Sequence, residues 1–229
     1  MNDTLLMALT LIPALVIAIV FHEVSHGWTA LALGDPTAKE QRRLSFNPIR
    51  HVDPFGTLIL PGMLALTGAP VFGWAKPVPV NQRRLRNPRF GMMAVAAAGP
   101  AGNLLLAAVG AVVLGVIVGN LTEQPTGWLP MVLNGISYFI LVNIFLALFN
   151  LLPLPPFDGS HIVEGLLPPR AAKAYGKIRP FGFPLLFLLL LVIPWLFPDL
   201  RIVERVVLPP VMGLQSYFYA LADWVAAII

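Results

Sequence analysis

Residues 4–33 read TLLMALTLIPALVIAIVFHEVSHGWTALAL, and the first part of this stretch, 4–21, holds no charged side chain. A helix that spans a bilayer needs about 20 mostly apolar residues, so the segment predicts a transmembrane helix. Near its end the segment carries three ionisable residues, His22, Glu23 and His26. Ionisable residues are costly inside a membrane and are functional candidates wherever they occur there. The segment therefore predicts a membrane helix that carries chemistry.

Further uncharged segments follow along the chain. They comprise residues 91–122, 124–157, 180–198 and 206–222, and a shorter apolar segment lies at 56–70. The chain is 57% hydrophobic and only 11% charged, against about 25% charged residues in ordinary soluble domains. Its mean hydropathy is +0.79. This composition predicts an α-helical polytopic membrane protein with about five to six transmembrane helices.

Composition also excludes several classes of protein. The chain has no cysteine, which rules out disulfides, thiolate metal ligands and cysteine nucleophiles. Its net charge is +4, but the basic residues lie between the apolar segments, where membrane topology explains them better than nucleic-acid binding does. No internal repeat and no flexible linker divides the sequence. We therefore expect one membrane-embedded domain over residues 1–229, and no nucleic-acid partner.

The first apolar segment has one alternative interpretation, a cleavable signal peptide with Ala30-Leu31-Ala32 as the cleavage site. Against this, residues 1–4 contain no basic residue and the helical pattern continues to Leu33. A signal peptide has a basic start and a shorter apolar region. We therefore expect the segment to be retained.

The positions of the basic residues predict the topology. Of the 15 Lys and Arg residues, nine lie in 34–90 and four in 153–179. Positively charged loops stay in the cytoplasm, which predicts an outside N-terminus and a cytoplasmic 34–90 segment. This topology requires that 56–70 not cross the membrane, so we expect a re-entrant or interfacial element there. Residues 71–80 have a β-type composition, and their prolines restrict them to an edge strand or hairpin.

The stretch His22-Glu23-Val24-Ser25-His26 predicts a metal site. Residues four apart share one face of a helix, so both imidazoles can reach one ion. Glu23 lies beside the first ligand and can accept a proton from an activated water. A chance match, or a buried polar cluster that only packs helices, is the alternative. The membrane location favours the metal site.

A catalytic zinc takes three protein ligands and leaves a position open, so a third ligand must come from elsewhere. Asp158 is the leading candidate because it ends the uncharged segment 124–157, where three prolines stop the helix. The topology places it on the cytoplasmic side, as it does the end of the first helix. Asp158 could also be an ordinary turn residue, and His51 or His161 could be the ligand instead. Spacing alone leaves this choice open.

Several motifs together resemble the site-2 protease family, which are zinc metalloproteases that cleave peptide bonds within the membrane. They are His22–His26, His51-Val52-Asp53-Pro54-Phe55-Gly56, Gly73-Trp74-Ala75-Lys76-Pro77-Val78-Pro79-Val80-Asn81, Ala98-Gly99-Pro100-Ala101-Gly102-Asn103 and Asn150–Gly159. The resemblance covers about residues 5–165, and leaves additional C-terminal helices at 180–229. It implies one catalytic zinc on His22, His26 and Asp158, with Glu23 as the base.

The resemblance also implies roles in substrate binding. The residue matching Asn150 holds the substrate strand, and the segment at about 71–81 presents an edge to it. A helix-packing amide is the alternative for Asn150. Asn103 is a second candidate for substrate binding, or else it supports a ligand or the re-entrant backbone. We expect the glycines at 99–102 to allow close helix packing.

Two departures from the family pattern are visible. Phe157 precedes Asp158 where many members have Leu or Pro, and the chain has no room for the PDZ or CBS domain of many relatives. The resemblance therefore implies a compact member.

The expected function is cleavage of a membrane-spanning protein substrate within the lipid bilayer. The protein would be multi-pass in the plasma membrane, with its active site towards the cytoplasm. An inactive relative that acts as a membrane scaffold or binding protein is the alternative, although the retained Glu23 argues against it. A transporter would show repeated halves, and neither a Gly-x-Ser-Gly nor a Gly-x-Gly-Asp motif of other intramembrane proteases occurs. Substrate identity, oligomeric state and the role of 180–229 stay open.

Overall fold

The computed structural model describes residues 3–67, 73–201 and 203–229, and within these ranges the chain contains helices and no β-strand. The α-helices are α1 Asp3–Ala32, α2 Thr37–Glu40, α3 Leu60–Thr67, α4 Pro88–Gly119, α5 Leu129–Asn150, α6 Asp158–Leu166, α7 Pro169–Gly176, α8 Gly182–Phe187, α9 Ile193–Leu196 and α10 Leu208–Ile228. Short 3-10 or π turns lie at Pro48–His51, Pro54–Ile59, Gln82–Arg84, Arg179–Phe181, Leu188–Val192, Pro198–Leu200 and Val203–Val207.

Helix α4 is the centre of the molecule and packs against α1, α5, α6 and α10. Its start is well specified, because the Asn87 side chain accepts the N–H of Phe90 at 3.1 Å and Pro88 occupies the first helical position. Small residues let other helices approach it closely. At Gly115, a Cβ atom would lie 2.3 Å from the Ala222 carbonyl oxygen of α10. This central helix therefore brings its neighbours together.

Four stretches of the described chain are long and apolar enough to cross a membrane: Leu9–Ala32, Pro88–Gly119, Leu129–Asn150 and Pro169–Leu196. They confirm a polytopic helical protein, but the expected count of five to six spans is not confirmed. The segment predicted at 206–222 does form a helix, α10, of 21 residues. Its glutamine, tyrosines and Asp223 make it less apolar than the other four.

The segment expected to re-enter the membrane is helical where the structure describes it. Residues 54–59 form a π turn and α3 continues to Thr67. The strand or hairpin expected at 71–80 is not found in 73–80, which has no regular secondary structure, while 71 and 72 lie outside the described residues. Prolines explain this, since they remove the N–H groups that a sheet ladder requires.

A buried carboxylate fixes this segment to the end of α1. Asp35 is fully buried and accepts the N–H groups of Asn81 at 2.6 Å and Thr37 at 3.0 Å. Burial alone would raise the pKa of Asp35, but hydrogen bonds from the Thr37 hydroxyl and from these two N–H groups hold it below its usual value. The Arg86 N–H also donates to the Leu33 carbonyl at 3.0 Å. Residues 81–86 therefore lie at a fixed position beside α1.

Candidate metal centre

Three side chains from two distant parts of the sequence meet at one point. His22 and His26 lie one turn apart on α1, and Asp158 is the first residue of α6. The Asp158 Oδ2 atom is 3.1 Å from the His22 Nε2 and 3.3 Å from the His26 Nε2. The three potential ligand atoms lie within 4.8 Å of one another, which is a spacing that one metal ion could bridge.

Hydrogen bonds on the far side of each imidazole fix its tautomer. The His22 Nδ1 lies 2.6 Å from the Asn103 Oδ1, and the His26 Nδ1 lies 2.7 Å from the Val95 carbonyl oxygen. Both partners accept hydrogen bonds, so each Nδ1 carries the proton and each Nε2 presents a lone pair. Two Nε2 lone pairs and a carboxylate oxygen therefore converge. This donor set, two histidines and a carboxylate, fits zinc.

A second amide extends the support of His22. The Asn103 Nδ2 donates to the Ala18 carbonyl oxygen at 3.0 Å and to the Asn143 Oδ1 at 2.9 Å. Both asparagines are fully buried, and the Asn143 Nδ2 donates to the Phe139 carbonyl oxygen at 2.8 Å. The oxygen and both N–H groups of the Asn103 amide are therefore hydrogen-bonded inside the helix bundle. This placement favours support of a ligand over contact with substrate.

Asn143 was not singled out from the sequence, although a signal was present. It is an amide in the middle of the uncharged segment 124–157, where a polar side chain requires a partner. The sequence analysis named Asn150 as the candidate from this segment instead. Asn150 ends α5, and its Nδ2 donates to the Leu146 carbonyl oxygen of the same helix at 3.0 Å.

A glycine on α4 makes room for the two imidazoles. A Cβ atom at Gly99 would lie 2.5 Å from the His26 Nε2 and 2.7 Å from the His22 Cε1. A Cβ at Gly102 would likewise lie 2.5 Å from the Ser25 Oγ. Close packing through small residues, as the sequence predicts, thus occurs at the histidines themselves.

The turn before α6 places Asp158 beside the two histidines. A Cβ at Gly159 would lie 2.3 Å from the Leu151 carbonyl oxygen and 2.4 Å from that of Leu152, so the chain folds back tightly after α5. Phe157 is buried and contacts Phe149 with ring centroids 4.6 Å apart. The phenylalanine that departs from the family pattern is therefore part of this packing.

Glu23, next to His22 on α1, contacts the segment 73–80. Its Oε2 accepts the Val78 N–H at 2.7 Å. The buried Arg43 lies close enough for an attractive charge interaction with Glu23, and its Nη2 donates to the Lys76 carbonyl oxygen at 2.7 Å. Sequence reasoning missed Arg43 because it appeared only as one of nine basic residues in 34–90.

The two alternative histidine ligands lie elsewhere. His51 is buried, and its Nε2 donates to the Ser45 carbonyl oxygen at 2.7 Å. The His161 Nδ1 accepts from Arg179 at 3.1 Å, and burial, followed by the charge of Arg179, holds the pKa of His161 below its usual value. Among the described residues, only His22, His26 and Asp158 form a group that could hold a metal ion.

Comparison with known proteins gives a consistent result. The model of peptidase family M50 matches residues 10–193. "Putative zinc metalloprotease YwhC" of Bacillus subtilis is 40% identical over 198 residues, which is 85% of this chain and 87% of the relative. "Putative zinc metalloprotease Rip2" of Mycolicibacterium smegmatis is 29% identical over 188 residues, 79% of this chain and 67% of the relative. No solved structure gives a significant match. The chain belongs to peptidase family M50, the site-2 protease family of membrane zinc metalloproteases.

Proposed function

We propose that this protein is an intramembrane zinc metalloprotease that hydrolyses peptide bonds of membrane-spanning proteins, as in regulated intramembrane proteolysis. In this proposal His22, His26 and Asp158 hold one zinc ion, and Glu23 is the general base. The observation that carries the proposal is the convergence of two Nε2 lone pairs and a carboxylate oxygen, with Glu23 adjacent on the same helix. Family membership supports the same chemistry.

The residues divide the chemistry between them. When bound, zinc supplies the Lewis acidity that polarises a peptide carbonyl and acidifies water. Glu23 accepts a proton from the attacking water on a carboxylate oxygen, and later donates a proton to the nitrogen of the leaving amine. Asn103 and the Val95 carbonyl keep the two imidazoles in the tautomer that leaves Nε2 free.

The substrate must adopt an extended form at the scissile bond, because a helix hides its carbonyl groups in hydrogen bonds. Addition of the substrate as a strand beside residues 73–80 would stabilise that form. Helix-breaking residues near the cleavage point should therefore increase the rate, whereas a substrate that is made more helical there and is cleaved equally fast would contradict this proposal. Asn150, at the end of α5, is the side-chain candidate for holding the strand.

The same proposal places one domain, residues 1–229, in the plasma membrane. The N-terminus lies outside, and the metal centre lies towards the cytoplasmic side, with 56–70 as a re-entrant element. The concentration of basic residues in 34–90 and 153–179 supports this orientation. His22 and His26 of α1 meet Asp158 at the start of α6, and this contact supports a common side of the membrane for both.

Cleavage of a panel of single-span proteins in reconstituted vesicles tests the function. We expect cleavage by the wild type, and a loss of at least about 100-fold in Glu23→Gln, since a general base typically contributes that much or more. Glu40→Gln is the matched control because Glu40 is exposed and pairs with Arg84. A zinc-loaded wild type that cleaves no substrate would favour the membrane scaffold instead.

A further inference from the structure

A polar cavity lies between the start of α4 and the helices α6 and α7. Its volume is about 180 Å³, whereas one water molecule needs roughly 10–15 Å³. Residues of α4, α6 and α7 that are small or apolar form part of its wall. Its polar lining consists of Gln82, Arg89, His161 and Glu164. The cavity is therefore large enough for a side chain, and none of these four residues has a part in the proposed chemistry.

The cavity is close to the metal centre. His161 lies three residues after Asp158 on α6, and side chains three apart on a helix are neighbours, with about 5–6 Å between their Cβ atoms. The charges of Asp158 and His26 both lie near enough to act on His161. An extended peptide advances about 3.3 Å per residue. A peptide whose scissile bond lies at the metal can therefore reach the cavity with a side chain that is within about three residues of that bond.

Arg179 fixes the tautomer of His161. The His161 Nδ1 accepts a hydrogen bond from the Arg179 Nη2 at 3.1 Å, so the proton of the neutral ring lies on Nε2. Burial and then the charge of Arg179 hold the pKa of His161 below its usual value, which favours this neutral form. The Nε2–H makes no hydrogen bond to any part of the chain that the structure describes. His161 therefore offers a donor to a ligand in the cavity.

Arg89 supplies a positive charge that is fixed in place. Its Nε donates to the Gly165 carbonyl oxygen at 3.0 Å, and its Nη2 donates to the Leu167 carbonyl oxygen. Both carbonyls lie at the end of α6, where a helix favours a cation. The Arg89 Nη1 makes no hydrogen bond to the described residues. It is therefore a second donor that is available to a ligand.

The charges around the cavity do not cancel. Glu164 forms an ion pair with Arg179, so the carboxylate in the lining is already neutralised. Arg89 has no such partner among the described residues, and its positive charge is left in excess. The amide of Gln82 adds no charge. An excess positive charge and two available donors fit a carboxylate, whereas they disfavour a cation.

We propose that this cavity binds an acidic side chain of the substrate, which accepts hydrogen bonds from the His161 Nε2 and the Arg89 Nη1. The protease would then prefer membrane-spanning substrates that carry Glu or Asp within about three residues of the scissile bond. The inference rests on the proposed proteolytic function and adds a substrate class to it. Both donors are held in place before a ligand arrives, Arg89 by carbonyl groups and His161 by Arg179, which reduces the cost of ordering them on binding.

A purely structural role for these groups is the alternative. The Glu164–Arg179 pair and the hydrogen bonds of Arg89 would then only hold α6 against its neighbours, and water would fill the cavity. That role does not distinguish a ligand that carries Glu from one that carries Gln. A carboxylate site does, because charge-assisted hydrogen bonds are about twice as strong as neutral ones.

The test uses peptide hydroxamates, whose hydroxamate group binds zinc, and the zinc-loaded wild-type protein in detergent. One series carries the hydroxamate at the N-terminal end and a second series carries it at the C-terminal end, so both directions from the metal are sampled. The three residues next to the hydroxamate are in turn Glu or Gln, and the compounds hold no other carboxylate. Dissociation constants are measured by titration calorimetry. The Gln compounds are the matched controls, because Glu and Gln have nearly the same shape.

We expect Glu to bind more tightly than Gln at one position, by at least about 5-fold, the difference between a charged and a neutral hydrogen bond. In His161→Ala and in Arg89→Gln this preference should fall by at least about 2-fold, since each variant removes one hydrogen bond. Arg170→Gln should keep it, because Arg170 is exposed on α7 and does not line the cavity. The ratio of two affinities does not depend on the fraction of protein that is folded.

Equal binding of Glu and Gln compounds at every position would overturn the cavity proposal while the proteolytic function stands. The same holds for a preference that survives unchanged in both cavity variants, or that falls equally in Arg170→Gln. If the Gln compounds bind Asp158→Ala as tightly as the wild type, the proposed zinc site fails and the inference fails with it.

Discussion

At the scale of single residues, Asn103 shows how the helix bundle supports the metal centre from behind. Its Oδ1 accepts the His22 Nδ1–H at 2.6 Å and its Nδ2 is held by Ala18 and Asn143. Partners of this kind orient the imidazole and raise its basicity. In the proposed zinc site, the amide would therefore act on the metal through His22, as a positioning residue.

Asn103→Ala should weaken zinc binding about 10- to 100-fold, the usual cost of losing such a partner. Titration against a chelator of known affinity measures the change. Asn120→Ala is the control, because Asn120 lies exposed at the end of the same helix and its side chain donates to the Val116 carbonyl of that helix. Equal zinc affinity in both variants would show that Asn103 does not support the ligand.

Gly99→Ala should also reduce zinc affinity, by at least about 10-fold. The new methyl group would lie 2.5 Å from the His26 Nε2, so the imidazoles would have to move from the positions in which their Nε2 atoms meet Asp158. Gly213→Ala on α10 is the control, since no heavy atom lies within 4 Å of its added Cβ. Titration of both purified variants against a chelator of known affinity provides the check, and wild-type zinc affinity in Gly99→Ala would contradict the packing described here.

The residues of the metal centre were predictable to different degrees. The spacing of His22 and His26 on a helix predicts a shared face, which the structure has. Asp158 stands out by its position, but choosing it over an ordinary turn residue, His51 or His161 needed the resemblance, because prolines and an apolar segment indicate a turn and not its partner. The contacts of Gly99 and Asn143 depend on which faces α4 presents to α1 and to α5, and neither sequence period nor composition encodes those contacts.

At the scale of elements, the loop after α1 determines where the extended segment 73–80 lies. Asp35 is the connection between them, through its hydrogen bond with the Asn81 N–H. The pKa of Asp35 lies below its usual value. The stabilisation is therefore present above the unfolded-state pKa of about 4 and is lost as the pH falls through the lower, folded-state pKa.

Asp35→Asn should lower the free energy of unfolding at pH 7 by about 1.5–3 kcal/mol, the range for hydrogen bonds to a charged group. The difference from wild type should shrink as the pH is lowered below about 4. Melting temperatures in detergent at a series of pH values provide the measurement. Asp223→Asn is the control because Asp223 is exposed on α10, and a difference that persists unchanged at low pH would argue against this role of the charge.

The sequence predicts secondary-structure elements well where hydropathy alone determines their position. The segments at 91–122 and 124–157 correspond to α4 and α5, whose bounds follow from Asn87 and Pro88 at one end and the prolines after Asn150 at the other. The structure of the segment at 71–80 was harder to predict, because its composition suggests a strand while its prolines prevent the hydrogen bonds of a β-ladder. Its partners are a carboxylate, an arginine and isolated carbonyls, which no local pattern indicates.

At the scale of the whole molecule, the proposed orientation in the membrane rests on the distribution of charge. The absence of cysteine makes single-cysteine labelling direct. Glu123→Cys, in the short loop between α4 and α5, should react with a membrane-impermeant maleimide in intact cells. Lys173→Cys, on α7, should react only after permeabilisation, because the proposed topology has this basic region in the cytoplasm. Both positions are exposed, and the reverse labelling pattern would invert the proposed topology.

The central claim is that three side chains, two on α1 and one on α6, hold one catalytic zinc. The most direct measurement is the metal content per chain, by mass spectrometry, of purified wild type, His26→Ala, Asp158→Ala and the control His161→Ala. The account predicts about one zinc in wild type and in His161→Ala, and almost none in the other two, since a catalytic zinc needs its three protein ligands. Zinc retained without Asp158, or a wild type that binds no added zinc, would contradict it.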